Sequence, residues 1–172
     1  MKNKLSPTQA EKVMRDNDFI VSMTDVKGRI TYGNRIFIEF SGYTWQELVG
    51  VQHNIIRHPD MPRCVFKLLW DVISGGNECH AYVKNLAKDG SFYWVFANIT
   101  PLFDLSGQIE GYFSVRRKPK AEGVKVMAGL YQALLEIEKK AGARDAIEAS
   151  TQVLLKILAD KGMGYDEFIL SI

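Results

Sequence analysis

The stretch His53–Pro62 concentrates residues that could do chemistry in an otherwise apolar half of the chain. Its sequence is His-Asn-Ile-Ile-Arg-His-Pro-Asp-Met-Pro, which holds two histidines, one arginine and one aspartate. Pro59 fixes its own φ angle and lacks an amide donor, so a helix through Ile55 and Ile56 must end or kink there. We expect these side chains at a helix end or a tight turn. There they either close over a bound anionic cofactor or pair with each other at the surface.

Two asparagines extend this candidate site onto a predicted sheet. Counting by twos along each strand puts Asn85 on the face of Val83 and puts Asn98 on the face of Phe96. A buried amide needs hydrogen-bond partners, and its donor and acceptor suit a ring edge that alternates carbonyl and N–H groups. Either asparagine alone is as well explained by bonds to backbone near a strand end. Together, on adjacent strands, they predict two amides that face one ligand.

Alternating apolar residues predict five strands separated by turn residues, at 19–24, 29–34, 78–86, 91–103 and 108–116. Short helices are predicted between the second and third strands. One covers 34–41, a capping box at Thr44–Glu47 opens the next, and a longer one runs from Pro62 to Ile73 and carries Trp70. Ser6 and Pro7 predict a capped helix over 8–15. The predicted fold is α+β, a five-stranded antiparallel sheet with short helices on one face.

After Pro119 the apolar residues recur at helical spacing. The pattern predicts two amphipathic helices that are broken at Gly142 and form a helical hairpin, followed by a short apolar tail at 168–170. We expect the hairpin to pack on itself or on the outer face of the sheet, or to offer a dimerisation surface. The predicted division of the chain is an N-terminal helical cap at 1–17, a central domain at 18–118 and a C-terminal helical extension at 119–172.

Composition narrows the function classes. The chain has 22 Lys and Arg against 20 Asp and Glu, a net charge of +2 that gives no case for a nucleic-acid partner. No apolar run approaches about 18 residues, so no membrane span is predicted, and Met1–Leu5 lacks the apolar core of an export signal. We therefore expect a cytoplasmic protein. Cys64 and Cys79 are too few for a disulfide framework or a zinc site. The absence of a nucleophile elbow, a phosphate-binding loop and a metal triad argues against an enzyme.

Residues 18–118 resemble a PAS domain, and the run His53–Pro62 is similar to the hallmark of the aerotaxis-receptor type of PAS domain. The resemblance does not include the helices after Pro119. Further matches to the family are Ser41-Gly42-Tyr43-Thr44, Glu47-Leu48, Val83-Lys84-Asn85, Tyr93-Trp94-Val95, Ala97-Asn98 and Gly111-Tyr112 followed by Arg116.

The resemblance implies a sensor domain in signal transduction that holds FAD non-covalently and reports redox state or oxygen. In that family Arg57, His58 and Asp60 would close the flavin pocket, with Trp70 on the following helix. Matched by position, the cofactor-binding residues are Asn34, His53, Arg57, His58, Asp60, Trp70, Asn85 and Asn98. Cys79 stands where relatives tend to carry a tryptophan, and we expect a small buried residue there. The light-sensing motif Asn-Cys-Arg-Phe-Leu-Gln is replaced by Asn54-Ile55-Ile56-Arg57, so no photo-adduct is expected.

Other interpretations of the same residues stay open at this point. FMN could replace FAD, or haem could bind with His53 or His58 as its axial ligand. A third alternative is a PAS interaction module without a cofactor. We predict that the signal passes to a downstream signalling protein in trans or through the terminal helices, and we consider a homodimer as a further assembly.

Overall fold

In a computed structural model, which describes residues 6–172, the protein is built on one antiparallel sheet in the order β2-β1-β5-β4-β3. The strands are β1 Ile20–Asp25, β2 Ile30–Gly33, β3 Cys79–Leu86, β4 Phe92–Phe103 and β5 Ile109–Arg117. The helices between β2 and β3 are α1 Arg35–Ser41, α2 Trp45–Leu48, a 3-10 helix His53–Ile56, and α3 Arg63–Ser74. The predicted α+β fold is confirmed. Met1–Leu5, where the sequence predicts no export signal, lie outside the described residues.

Caps and prolines set the ends of the short helices. Asn34 accepts a hydrogen bond from the Phe37 amide at 3.0 Å and so caps α1, which ends at Gly42 in the left-handed region with φ 72°. The predicted capping box of Thr44 and Glu47 opens α2. Because Pro59 cannot continue a helix, the segment between the 3-10 helix and α3 is irregular.

The register of β3, β4 and β5 assigns each side chain to one of the two faces of the sheet. Asn85 lies opposite Tyr93, whereas Asn98 lies opposite His80. Directly opposed residues share a face and neighbours along a strand alternate, so Asn85 and Asn98 project from opposite faces. We call the face that carries Asn85 the inner face, because the short helices cover it. The face that carries Asn98 is the outer face.

The N-terminal segment is extended, so the helix predicted over 8–15 is wrong. The Lys12 amide donates to the Phe92 carbonyl at 2.8 Å, and the Phe92 amide donates to the Ala10 carbonyl at 2.9 Å. The ladder between β4 and β5 reaches only to Phe96, so the β4 backbone before that residue needs another partner. The N-terminal segment is this partner. Its hydrogen bonds to β4 outweigh the local preference of residues 8–15 for a helix.

The C-terminal region forms the predicted helical hairpin. Helix α4, Ala121–Lys161, is interrupted at Gly142, whose φ of 77° and ψ of 169° are non-helical. The Ser150 hydroxyl donates to the Glu138 carboxylate at 3.0 Å although the two residues are 12 positions apart. A continuous helix would separate them by about 18 Å, so the chain reverses at Gly142. We call residues 121–141 the first arm and residues 143–161 the second arm.

The first arm packs on the outer face of the sheet, which is one of its predicted positions. Tyr131 stacks on Trp94 with ring centroids 6.2 Å apart, and its hydroxyl donates to the Tyr82 carbonyl at 2.7 Å. Helix α5, Tyr165–Ser171, contacts the edge strand β3, where Asp166 accepts from the His80 amide at 2.9 Å. Within residues 6–172, no helix combines the length and the hydrophobicity that a membrane span needs.

Candidate functional site

The inner face of the sheet and the helices that cover it enclose a cavity of about 430 Å³. Small-molecule sites typically have volumes of about 300–1,000 Å³. The walls come from β1, β3, β4, β5, the 3-10 helix and α3, and Ile147 of the second arm also lines the cavity. The hollow predicted between the sheet and its short helices is therefore present.

Arg116, on β5, is a buried cation of this cavity with an exposed fraction of 3%. Its guanidinium donates to the Ser22 hydroxyl, approaches Nε2 of His53 at 3.4 Å and lies 5.0 Å from the centre of the Phe37 ring. Its Nε has no hydrogen-bond partner in the described part of the chain. No carboxylate of residues 6–172 forms an ion pair with it. Burial lowers the pKa of Arg116 to about 10, so it stays charged at neutral pH.

Asn85, on β3, places a second unsatisfied donor in the same cavity. Its exposed fraction is 4%, and its Nδ2 has no partner among residues 6–172. A buried donor left unsatisfied costs about 1–3 kcal/mol. Buried polar groups in native proteins are nearly always paired, and a ligand that carries acceptors and negative charge would pair the orphaned atoms of Asn85 and Arg116.

Arg57 brings another cation to the cavity from the end of the 3-10 helix. It pairs with Asn85 in an isolated antiparallel bridge, so the motif predicted from sequence docks directly on β3. Its guanidinium donates to the Met61 carbonyl at 3.2 Å and lies 4.2 Å from the centre of the Phe66 ring. Burial lowers the pKa of Arg57, and the carboxylate of Glu138 on α4 partly opposes that effect.

The charge of the cavity wall is one-sided. Arg57, Arg63, Lys67 and Arg116 line it, and none of the described residues that line it is Asp or Glu. Lys67 is paired with Asp71 on the next turn of α3. A concave site with only positive charge concentrates anions and suits a ring or phosphate that carries negative charge.

His53 and Trp70, two of the residues that the family resemblance implies, also line the cavity. Nε2 of His53 lies 3.1 Å from the Ser22 hydroxyl oxygen. Burial and then the charge of Arg116 lower the pKa of His53 to about 3, so its ring is neutral at neutral pH. Trp70 packs edge-to-face against Tyr112 with ring centroids 5.3 Å apart. Of the predicted residues, the structure thus brings together His53, Arg57, Trp70 and Asn85.

His58 and Asp60 do not line the cavity but hold the turn that carries Arg57. The Asp60 amide donates to Nδ1 of His58 at 3.0 Å, and the Asp60 carboxylate pairs with Lys84 of β3 at 2.7 Å. Burial and then the charge of Lys84 lower the pKa of the His58 ring to about 4. Lys84 lies opposite Trp94 and so belongs to the outer face. The turn therefore wraps around β3, with Arg57 on its inner side.

Asn34 also lies outside the cavity wall. Besides capping α1, its Oδ1 accepts from the Val21 amide at 3.1 Å, and its Nδ2 donates to the Phe19 carbonyl at 2.8 Å. These bonds tie α1 to β1, and β1 is part of the cavity wall. Asn34 therefore has a structural role beside the cavity.

Asn98 lies on the outer face, and the prediction that it faces one ligand with Asn85 is wrong. Its Nδ2 lies 2.9 Å from Nε2 of His80 and 3.0 Å from the Glu78 carboxylate. Counting by twos assigns faces within one strand, but only the register between strands relates those faces to each other. That register places Asn98 opposite His80.

Arg116 matches the family pattern but is not among the site residues predicted from the sequence. An arginine near the end of an apolar strand is a signal for a buried cation, but Arg117 follows directly and carries the same signal. The β5 register resolves the ambiguity, because Arg116 lies opposite Ala97 of the cavity wall and Arg117 lies opposite Phe96 of the outer face.

Cys79 is the small buried residue that the sequence predicts, with an exposed fraction of 1%. Burial raises the pKa of its thiol to about 12, so it is not a reactive thiolate. Among residues 6–172, no group of three or more His, Cys, Asp or Glu side chains could hold a metal ion.

Comparison with known proteins agrees with this architecture. A model of the PAS fold matches residues 30–116. The chain is 40% identical to the aerotaxis receptor of Escherichia coli (strain K12) over 127 residues, which are 74% of this chain and 25% of that receptor. It is 28% identical to the nitrogen fixation regulatory protein of Klebsiella pneumoniae, over 56% of this chain and 20% of that protein. The chain thus spans a quarter or less of these curated relatives.

Solved structures of light-oxygen-voltage domains share the fold. A light-oxygen-voltage domain described with a flavin analogue has a TM-score of 0.56 at 23% identity, over 64% of this chain and 83% of that one. The light state of the blue-light photoreceptor Aureochrome1 has the same TM-score at 24% identity, over 66% of this chain and 90% of that one. The predicted similarity to PAS domains of the aerotaxis-receptor type is confirmed, and this protein belongs to the PAS family.

Proposed function

We propose that this chain is a sensor domain that binds a flavin non-covalently, in the first place FAD, and reports redox state or oxygen to a partner protein. One observation carries the proposal. The inner cavity combines buried donors without partners, on Arg116 and Asn85, with a wall that is positive and, among the described residues, free of carboxylates.

The chemistry of a flavin fits that wall. A flavin supplies reversible electron transfer, its ring carries carbonyl acceptors, and it becomes more negative on reduction. Arg116 and Asn85 would donate hydrogen bonds to the ring edge, Trp70 would pack against apolar surface, and Arg57 would add positive charge. Arg63 and Lys67, on the first turns of α3, would suit the phosphates of the cofactor.

The energy available is enough for signalling. A hydrogen bond to a charged group contributes about 1.5–3 kcal/mol, and a contact of that size that changes with the redox state shifts a two-state equilibrium by about one to two decades. The named relatives support the class of function, since one is an aerotaxis receptor and the other regulates nitrogen fixation. The partner in trans, the cytoplasmic location and a homodimer are parts of the same proposal.

The alternatives suit the cavity less well. FMN would make the same ring contacts, but it would leave Arg63 and Lys67 with fewer phosphate oxygens. Of the two histidines predicted as possible axial ligands of haem, His53 lines the cavity and His58 does not. The Nε2 atom of His53 lies beside the positive charge of Arg116. A module without a cofactor would leave the charge of Arg116 buried and unpaired.

An absorption spectrum of the purified protein, before and after incubation with FAD, FMN and haem, tests the proposal. We expect flavin absorption bands, and we expect chromatography of the cofactor released by denaturation to identify FAD. A Soret band would overturn the proposal in favour of haem. A folded protein that takes up no cofactor would overturn it in favour of an interaction module.

A further inference from the structure

The second arm of α4 contributes to the cavity although it lies outside residues 30–116, which match the PAS fold. Ile147 of this arm lines the cavity and is half-buried. Arg63, another lining residue, donates from Nη1 to the Ala143 carbonyl at 3.2 Å. Leu154 and Leu158 anchor the same arm in the core. The second arm therefore contributes to the wall of the cavity through Ile147.

Glu138 connects the hairpin to the helix that carries the lining cations. Its buried carboxylate accepts from the Cys64 amide at 3.1 Å and from the Ser150 hydroxyl at 3.0 Å. One carboxylate therefore joins the first turn of α3 to both arms. The same carboxylate acts on Arg57, where it partly opposes the effect of burial on the pKa. The carboxylate that holds both arms to α3 is thus also one of the charges that act on Arg57.

The position of the second arm depends on Gly142. A backbone with φ 77° and ψ 169° is essentially restricted to glycine, because a Cβ atom would be strained there. A Cβ added at Gly142 would nevertheless meet no atom within 4 Å. Substitution by alanine would therefore perturb the reversal through the backbone alone, without a clash with any neighbour.

We propose that the second arm is a lid of the ligand cavity and that its docking is coupled to the ligand, an inference that rests on the proposed flavin function. A ligand that fills the cavity gains contact with Ile147 and stabilises the docked arm. Coupling of this kind is reciprocal, so the docked arm strengthens ligand binding by the same free energy. Because most differences in affinity between related complexes lie in the dissociation rate, we expect slower release of the ligand when the arm is docked. The docking of the lid, and with it the surface of the hairpin, then depends on whether the cavity is occupied.

Hydrogen exchange and flavin release test the lid together. In the full chain, we expect amides of 143–161 to exchange more slowly with FAD bound than without it. Ile147→Ala is expected to speed FAD release about fivefold, because it removes apolar contact with the ligand. Ile157→Ala is the matched control, since Ile157 lies on the same arm, is also half-buried and does not line the cavity.

Gly142→Ala tests the reversal itself. We expect faster exchange throughout 143–161 and faster FAD release. Gly107→Ala is the matched control, because Gly107 also has a positive φ, of 80°, and open space around it, but it lies in the turn between β4 and β5. It should strain the backbone without changing FAD release.

The outcomes separate the lid from the function on which it rests. If the wild-type protein takes up no flavin, the proposed function fails and the lid fails with it. The lid alone is overturned if FAD binds but exchange in 143–161 does not change. It is equally overturned if Ile147→Ala and Ile157→Ala release FAD at the same rate, or if Gly142→Ala and Gly107→Ala do.

Discussion

The two faces of the sheet present the same three side-chain types in different electrostatic settings. The inner side has His53, Asn85 and Arg116, and the outer side has His80, Asn98 and Arg117. On the outer side Arg117 is exposed to solvent, and His80 and Asn98 form a network with two carboxylates. Nδ1 of His80 lies 3.0 Å from the Asp166 carboxylate, Nε2 of His80 lies 2.9 Å from the Asn98 amide, and that amide also donates to Glu78.

On the inner side Arg116, Ser22 and His53 form a network without a carboxylate in the described part of the chain, and this network is incomplete. Asn85 Nδ2 and Arg116 Nε lack partners within residues 6–172, and the lining contains no carboxylate. Residue types alone therefore do not identify the candidate ligand site. What distinguishes it is the missing counter-charge, since a complete network stabilises the fold by itself whereas an incomplete one needs a ligand.

The largest expected effect is on Arg116. We predict that Arg116→Met weakens flavin binding about 10- to 150-fold, because it removes a hydrogen bond from a charged donor. The same change should raise the free energy of unfolding of the ligand-free protein by about 1 kcal/mol, because it removes an uncompensated buried charge. Flavin titration and urea unfolding measure the two effects.

Arg117→Met is the matched control for Arg116→Met, since Arg117 is exposed and lies over Phe96 on the outer face. It should leave flavin affinity unchanged. Equal losses of flavin affinity in the two variants would contradict the electrostatic difference that we infer between the two faces.

The second prediction concerns the stability of the protein at acidic pH. The pKa of His53 is lowered to about 3 and that of His58 to about 4. As the pH falls below about 6.5, the unfolded chain gains protons that the folded protein does not, so the free energy of unfolding decreases. We expect a loss on the order of 1–2 kcal/mol for each histidine between pH 7 and pH 5.

The variant His53→Gln tests how much of this loss of stability comes from His53. Urea unfolding at pH 7 and at pH 5 should show a smaller difference for this variant than for the wild type. If the difference persists in full, His53 is not the neutral, buried ring that the inner side requires.

The third prediction compares the two asparagines. Asn85→Ala should lower flavin affinity by up to about tenfold, the range expected for a hydrogen bond from a neutral donor. Asn98→Ala should leave flavin affinity unchanged and should instead speed amide exchange in α5, because it removes one member of the His80 network that holds Asp166. The reverse pattern in these two measurements would mean that the ligand lies on the outer face.

Local signals in the sequence were sufficient for the fold and for part of the site. Strand periodicity, turn glycines and the capping box act within a few residues, so the sheet and the short helices could be predicted. The helix over 8–15 could not be excluded, because the demand of the β4 edge at Phe92 is tertiary. Likewise, no pattern within a strand relates the faces of Asn85 and Asn98, and none tells Arg116 from Arg117.

The smallest expected effect tests whether the two faces communicate through the turn that wraps around β3. The ion pair of Asp60 with Lys84 is on the outer side, and the exposed fraction of the Asp60 side chain is 58%. Exposed pairs contribute about 0.2–1 kcal/mol, so Asp60→Asn should weaken flavin binding by about fivefold at most, through the position of Arg57.

A double-mutant cycle of Asp60→Asn with Lys84→Gln distinguishes an effect through the turn from direct contact with the ligand. If Asp60 acts through the pair, either single change removes the interaction, and the double variant should bind flavin about as well as each single one. Additive losses, or a loss for Asp60→Asn as large as that for Arg116→Met, would contradict this assignment. The Asp60 carboxylate would then contribute to the ligand site directly, and the outer side of the turn would belong to the site as much as Arg57 does.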